Sequence, residues 1–289
     1  IFAELEFRTL GKKIIGDDYS MNETASKKQA APKDKAQTSL FDAPTSEMEN
    51  AADAAEINFG KNITNTEHQY FLVDTQEAID NLIQKLAAEK IICFDTETTS
   101  VDANNCELVG MSFSIKPHEG YYIPIDANKK KKKKQVHQFK KILENEHITK
   151  IGQNIKFDQL VLKWYEVEVK GVLFDTMLAH YLMDADTKHN MNVLSENYLG
   201  YSPVSITELI GKKGASQGTM RDVPIEQVKE YAAEDADVTL QLYNVFKKEI
   251  DHTHLHKLFY EVETPLIPVL TDMEFEGVKV DTDFLKQYS

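Results

Sequence analysis

Apolar positions recur along this chain in two periods, and the change from one period to the other lays out its elements. Residues 70–73 (YFLV) are a short apolar run that reads as a strand. Thr75 then suits the cap of a helix reaching Ala88, with Ile79, Leu82, Ile83 and Leu86 on one face. Residues 91–94 (IICF) carry no Pro or Gly and predict a strand buried on both faces of a sheet. Residues 108–115 and 120–125 predict two antiparallel strands. A short strand follows at 148–153, then a helix at 155–165 with Phe157, Leu160, Val161 and Trp164 as its stripe. Beyond Val172-Leu173-Phe174 the period is helical, near 175–184, near 192–199, and over a long run from about 224 to 250, where Pro224 suits the first turn. From Leu258 another amphipathic helix is predicted, broken by Pro265 and Pro268. Strands first and helices later, with one β-α-β crossover, give an α/β domain: a mixed central sheet flanked by helices.

Composition changes this picture at the N-terminal end. From Gly11 to about Asn65 the chain is rich in Ala, Lys, Ser, Thr, Asp, Gln and Glu, with few aromatic residues. Such a segment cannot bury enough apolar surface to offset its ordering entropy, so a flexible linker is expected, with Leu40-Phe41 its one apolar spot. Residues 1–10 (IFAELEFRTL) form a short helix-like piece ahead of it. The chain of 289 residues is 42% hydrophobic, which suffices for a sizeable core. It begins at Ile and stops inside an apparent helix, as a piece of something longer would.

A net charge of −14 argues against a broadly nucleic-acid-binding surface. It leaves room for an enzyme that meets nucleic acid through metal ions and a local basic patch. Six consecutive lysines, Lys129 to Lys134, are expected as a solvated loop ahead of a helix, with contact to a phosphate backbone as the alternative. Two cysteines, Cys93 and Cys106, fit neither a disulfide framework nor a zinc site. No apolar run has membrane-spanning length and no secretory signal is present, so a cytoplasmic location without membrane contact is expected.

Four carboxylates stand where they are costly. Asp95 and Glu97 close the buried strand one residue apart, hence on the same side. Asp158 borders the apolar stripe of its helix, with Asn154 one turn earlier on that side. In the long helix, Val228, Tyr231, Asp235, Val238, Leu242 and Val245 keep a three-four spacing, which puts Asp235 in the core-facing seam and Tyr231 one turn before it. Asp237 falls near the opposite face and is expected to be exposed. Buried anions repel each other and resist desolvation, and an oxygen-ligated divalent cation relieves both effects. Four of them suit two Mg²⁺ or Mn²⁺ ions across a phosphate, so the reaction class is phosphodiester hydrolysis. His252, His254 and His256 are expected on the surface, and Tyr121-Tyr122 as alternating strand residues.

The stretches FDTET, GQNIKFD and YAAEDAD resemble the three exonuclease motifs of the 3′–5′ proofreading domain of bacterial, family A DNA polymerase I. That domain belongs to the tyrosine-containing branch of the DEDD exonuclease group. The resemblance implies a ribonuclease H-like (DnaQ-like) fold over residues 67–257, a linker over 11–66, the end of a 5′-nuclease domain over 1–10 and the start of a polymerase domain over 258–289. By the same resemblance Asp95, Glu97 and Asp235 would hold the metal that carries the attacking water, and Asp95 and Asp158 a second one. Tyr231 would orient that water, and Thr96 and Asn154 would bind the substrate strand. Val101 and Ile206 occupy the places of apolar side chains that stack on the last bases, and being smaller or less aromatic than the usual Leu and Phe they are expected to stack more weakly. The implied substrate is the 3′ end of single-stranded or frayed DNA, released as nucleoside monophosphates by a monomer in the bacterial cytoplasm at the nucleoid. Polymerase and 5′-nuclease domains of the same chain are the implied partners. The rival readings are an RNA-trimming exonuclease of the same group and a non-catalytic spacer.

Overall fold

The computed structural model describes residues 60–288 apart from Ala215, so residues 1–10 and most of the expected linker lie outside the described residues. The last residues of that expected linker turn back on themselves, and Lys61 bridges to Tyr201.

Five elements lead into the sheet: β1 (Gln69–Leu72), α1 (Gln76–Ala88), β2 (Ile91–Thr98), β3 (Leu108–Lys116) and β4 (Glu119–Pro124). Two helices follow, α2 (Lys129–Gln138) and α3 (Lys140–Leu143), then β5 (Thr149–Gly152), α4 (Ile155–Lys163) and β6 (Leu173–Asp175). The rest is helical: α5 (Thr176–Met183), α6 (Met191–Leu199), α7 (Ile206–Ile210), α8 (Ile225–His252), α9 (Leu255–Leu258), α10 (Thr264–Glu276) and α11 (Thr282–Tyr288). The strand order is β1-β4-β3-β2-β5-β6. β2, β3 and β4 form an antiparallel meander, while β5 and β6 run parallel to β2, and β1 parallel to β4.

Alternate residues of β2 feed two cores. Ile92 and Phe94 join Phe113, Phe139, Leu160 and Val161 on the face covered by α1 to α4. Cys93 joins Ile151, Phe174, Val238 and Leu242 on the face covered by α5, α6 and α8. The result is a sheet between two helical layers, with β2 near its middle and α8 lying across β3, β4 and β2. Thr75 accepts the Ala78 N–H and caps α1 as the sequence predicts. Among the described residues no helix is long and apolar enough to cross a membrane.

Two expectations need correcting. The lysine run is not a loop: it forms the first six residues of α2, capped by Asn128, because Lys132 turns inward to reach Glu107 at 2.9 Å. Nor do the prolines break the last long helix. Pro265 stands in the first turn of α10, where no N–H is needed, and Pro268 is carried inside it. The irregularity lies just before, in a π-helical turn over Phe259–Glu263. α10 packs on α4: Ile267 is buried, Thr271 donates to Gln159 Oε1 at 3.1 Å, and Phe275 lies against Trp164.

Candidate active site

β2 brings Asp95 and Glu97 to the face that α8 covers, two and four residues beyond Cys93 on the same side. α8 comes close because β4 offers it a glycine. A Cβ at Gly120 would stand 2.7 Å from the Ala233 carbonyl oxygen, so only a bare backbone lets the helix rest there. That seat places Asp235 over the strand end, and carboxylate oxygens of Asp95, Glu97 and Asp235 lie within 4.8 Å of one another. Gly110, opposite Glu97 in β3, leaves room for the Tyr122 ring beside the cluster, since its Cβ would fall 2.2 Å from that ring.

Asp158 joins from the other helical layer. Its Oδ1 accepts the Thr96 N–H at 3.0 Å and the Thr96 hydroxyl at 2.5 Å, and the residue is 2% exposed. Thr96 points away from Asp95 and Glu97, as alternation requires, so Asp158 grips β2 from behind, next to Asp95. The hydroxyl of Thr96 is committed to that carboxylate.

Every acid here is pushed toward its neutral form. Burial raises Asp95 to about 7. Burial and the charge of Asp95 raise Glu97. Burial raises Asp235, with Asp95, Glu97 and Glu234 adding repulsion and the Tyr231 hydroxyl alone opposing it. Burial and Asp95 raise Asp158 against its two bonds from Thr96. Tyr231, one turn before Asp235, is raised by burial and by the charges of Asp235, Glu97 and Asp95, so its hydroxyl stays protonated at neutral pH.

Two oxygens of the cluster, Glu97 Oε1 and Asp235 Oδ1, are buried with no hydrogen-bond partner. Buried acceptors without donors are expensive, and these two face other acids. An all-oxygen, all-anionic donor set of this kind fits a hard divalent cation such as Mg²⁺ or Mn²⁺ and does not suit a thiolate- or imidazole-seeking metal.

The remaining sequence-predicted residues lie outside this cluster of three carboxylates. Asn154 is exposed at the start of α4 and adopts a left-handed conformation (φ 59°). Val101 is 84% exposed in the loop after β2, and Ile206, at the first position of α7, is 40% exposed. His252, His254 and His256 are exposed as expected.

Three acids were misjudged or missed. Asp237, expected in solvent, is 1% exposed: it accepts from the Tyr70 hydroxyl at 2.9 Å, the His118 N–H at 2.8 Å and Gln241 at 3.0 Å. It ties α8 to β1 and to the β3–β4 turn. Glu234 is also buried, accepting from the Tyr201 hydroxyl at 2.5 Å and the Val204 N–H at 2.8 Å, and burial raises it to about 7. Asp175 fixes the turn that aims α4. One oxygen takes the Asn154 N–H at 3.1 Å, the other the Ile155 N–H at 2.9 Å, and the first also caps α5 through Met177 and Leu178. An Asp immediately before the helical run TMLAH is a cap signal in the sequence, although nothing there shows its second use.

Comparison with known proteins gives the same outline. The sequence model of one family, described as 3′–5′ exonuclease, matches residues 70–251. The DNA polymerase I of Borreliella burgdorferi is 36% identical over 229 residues, which make up 78% of this chain and 25% of that protein. That of Pseudomonas aeruginosa is 35% identical over 248 residues, 82% of this chain and 27% of that protein. The chain thus spans about a quarter of the length of the curated relatives it matches. Among solved structures, Brucella melitensis NrnC superimposes with a TM-score of 0.58 at 21% identity, covering 72% of this chain and 93% of that one. The same protein bound to pGG gives 0.58 at 19% identity, covering 75% of this chain and 98% of that one. At these identities the superpositions speak for the fold, a DnaQ-like, ribonuclease H-like one.

Proposed function

Because the chain belongs to the 3′–5′ exonuclease family, we propose that its gathered carboxylates hold two divalent metal ions and hydrolyse the last phosphodiester at the 3′ end of single-stranded or frayed DNA. The products are nucleoside monophosphates. The observation that carries this reading is the trio Asp95, Glu97 and Asp235, drawn within 4.8 Å with two buried oxygens left bare. Such an arrangement is costly unless a cation completes it.

Asp95, Glu97 and Asp235 would hold one ion, and Asp95 with Asp158 the other. When bound, the ions supply an acidified water and positive charge at the leaving oxygen. The chain's own residues do the positioning. Thr96 locks Asp158 against β2 through two bonds, so the second ligand set is preorganised. Tyr231 keeps its proton and can therefore orient a water by hydrogen bonding, not by ionising. Asn154 stands exposed where α4 meets the site, suited to a sugar or phosphate. Val101 and Ile206 offer two exposed apolar contacts for the terminal bases.

The long relatives support placing this unit inside a DNA polymerase I. A bacterial cytoplasmic setting at the nucleoid and a monomeric state belong to the same proposal. Residues 1–10 would then close a 5′-nuclease domain, 11–66 link it to the exonuclease domain of 67–257, and 258–289 open the polymerase domain. A purely structural spacer is disfavoured, since all four carboxylates and the tyrosine are present and three of the carboxylates are gathered within 4.8 Å, with Asp158 held against the same strand. One observation keeps open a second reading, an RNA-trimming enzyme of the same fold: one superimposed NrnC structure is bound to pGG, a short nucleotide ligand and not a DNA strand end. Parallel digestion of 5′-labelled DNA and RNA oligonucleotides with Mg²⁺ or Mn²⁺ separates the two. The DNA reading expects a ladder shortening from the 3′ end, faster on DNA; preferential loss of RNA would overturn it.

A further inference from the structure

We propose that the lysine helix α2 is an electrostatic rest for the phosphate backbone of the DNA strand whose 3′ end occupies the carboxylate cluster. The proposal rests on the nuclease reading above and adds to it a second contact zone, outside the cluster. It starts from a local imbalance: six of the chain's 33 Lys and Arg residues are consecutive, in a protein of net charge −14. They are also placed at the end of a helix that disfavours them. α2 has no acid in its first turn, where the helix dipole is positive and six ammonium groups crowd.

The helix sorts its lysines by face. Lys132 is buried against Glu107, while Lys131 pairs with Asp126 at 3.4 Å and Lys133 with Glu166 at 2.5 Å. Lys129, Lys130 and Lys134 are exposed and, among the described residues, have no acid within ion-pair distance. At about 100° per residue, Lys130 and Lys134 lie opposite the buried Lys132, with Lys131 and Lys133 flanking that face, while Lys129, only about 60° round from Lys132, is exposed at the first position of the helix. The outer face carries charge and no exposed apolar residue, since Val136 is buried. Folded protein partners seek mixed surfaces with an apolar centre, whereas regularly spaced ammonium groups suit regularly spaced phosphates.

Its position is what connects this face to the nuclease site. Glu107, the partner of Lys132, pairs with Thr99: the Thr99 N–H donates to its carbonyl at 3.0 Å, and the Thr99 hydroxyl accepts its N–H at 2.9 Å. Thr99 lies two residues beyond Glu97. A short chain of contacts, Glu97 to Thr99 to Glu107 to Lys132, thus moors α2 at the end of β2 that carries the carboxylates. It is also the end from which the loop of Val101 departs. The local field of α2 offsets the repulsion that an acidic protein presents to a polyanion at the approach to its site.

The test compares the wild type with the triple variant Lys129→Gln, Lys130→Gln, Lys134→Gln, which keeps helix-forming side chains. Kinetics are measured on a single-stranded 20-mer and on a DNA dinucleotide too short to reach α2, and binding of a fluorescein-labelled 20-mer is measured in EDTA over a range of KCl. The expected result is a KM for the 20-mer raised roughly tenfold or more with kcat unchanged. The dinucleotide is unaffected, and the salt slope of 20-mer binding falls by about 2, the contribution of three phosphate contacts. Unchanged 20-mer KM and salt slope would overturn the proposal, as would equal losses on both substrates. If the wild type cuts neither substrate, the nuclease reading fails, and the binding arm still decides the role of α2. Displacement of the 20-mer by polyglutamate of equal charge at the same concentration would reassign the helix to acidic protein partners.

Discussion

Asp95, Glu97, Asp158 and Asp235 are held where the neutral acid is favoured, and this gives the metal-free protein a pH dependence of unusual sign. Asp95 is raised from 3.8 to about 7, so its contribution to stability is complete only below the unfolded value of 3.8 and is lost progressively as pH rises from there through about 7. In EDTA, Asp95→Asn should therefore gain on the wild type between pH 5 and pH 8. A gain of about 1 kcal/mol, already discounted for the partial exposure of Asp95, is roughly 2–4 °C in Tm for a domain of this size. Excess Mg²⁺ should return the wild type to parity or better at pH 8; a difference flat in pH and indifferent to metal would contradict the assignment. Asp158→Asn keeps an oxygen for both Thr96 bonds, so it should fold normally while losing roughly 10²–10³-fold or more in cleavage rate, checked by circular dichroism beside a single-turnover assay. Tyr231→Phe should slow cleavage roughly 10²-fold with metal binding retained. If it unfolds the protein instead, the tyrosine is structural.

At the scale of elements, β2 and α8 make the site, and their join is a glycine. Gly120→Ala would drive a methyl into the Ala233 backbone, so a loss of about 1–3 kcal/mol in urea unfolding is expected, together with weakened cleavage as Asp235 shifts. A variant as stable and active as wild type would mean that α8 has slack there. The strand IICF, its carboxylate pair and the seam of α8 were legible because each follows from a local period. Asp237 was not, because a period assumes one buried face. Every residue of α8 from Ala232 to Leu240 is buried, between the sheet and the elements around Tyr70, His118 and Tyr201. The lysine helix was missed for a similar reason: repulsion among six like charges argues for a loop until Glu107, 25 residues away, accepts Lys132. Asp175 shows its cap in the sequence and conceals its grip on the Asn154–Ile155 turn.

Over the whole molecule, the α/β class and the position of the site at the end of a central strand follow from the order of strands and helices. The packing of α10 on α4 does not, because it joins residues more than a hundred apart, such as Gln159 and Thr271. Ile267 is buried in that contact, and Ile267→Ala should cost about 2–5 kcal/mol in unfolding free energy while leaving Asp95, Glu97 and Asp235, held by β2 and α8, in place. The account as a whole depends on those carboxylates acting with metal on a DNA end. Its most direct test is digestion of a 5′-labelled single-stranded oligonucleotide by wild type and by Asp235→Asn, each with Mg²⁺ or Mn²⁺ and with EDTA. The expected result is a ladder shortening from the 3′ end with wild type and metal, and none with EDTA or with a folded Asp235→Asn. Intact DNA in every lane from folded wild type, or an equal ladder from the variant, would contradict it.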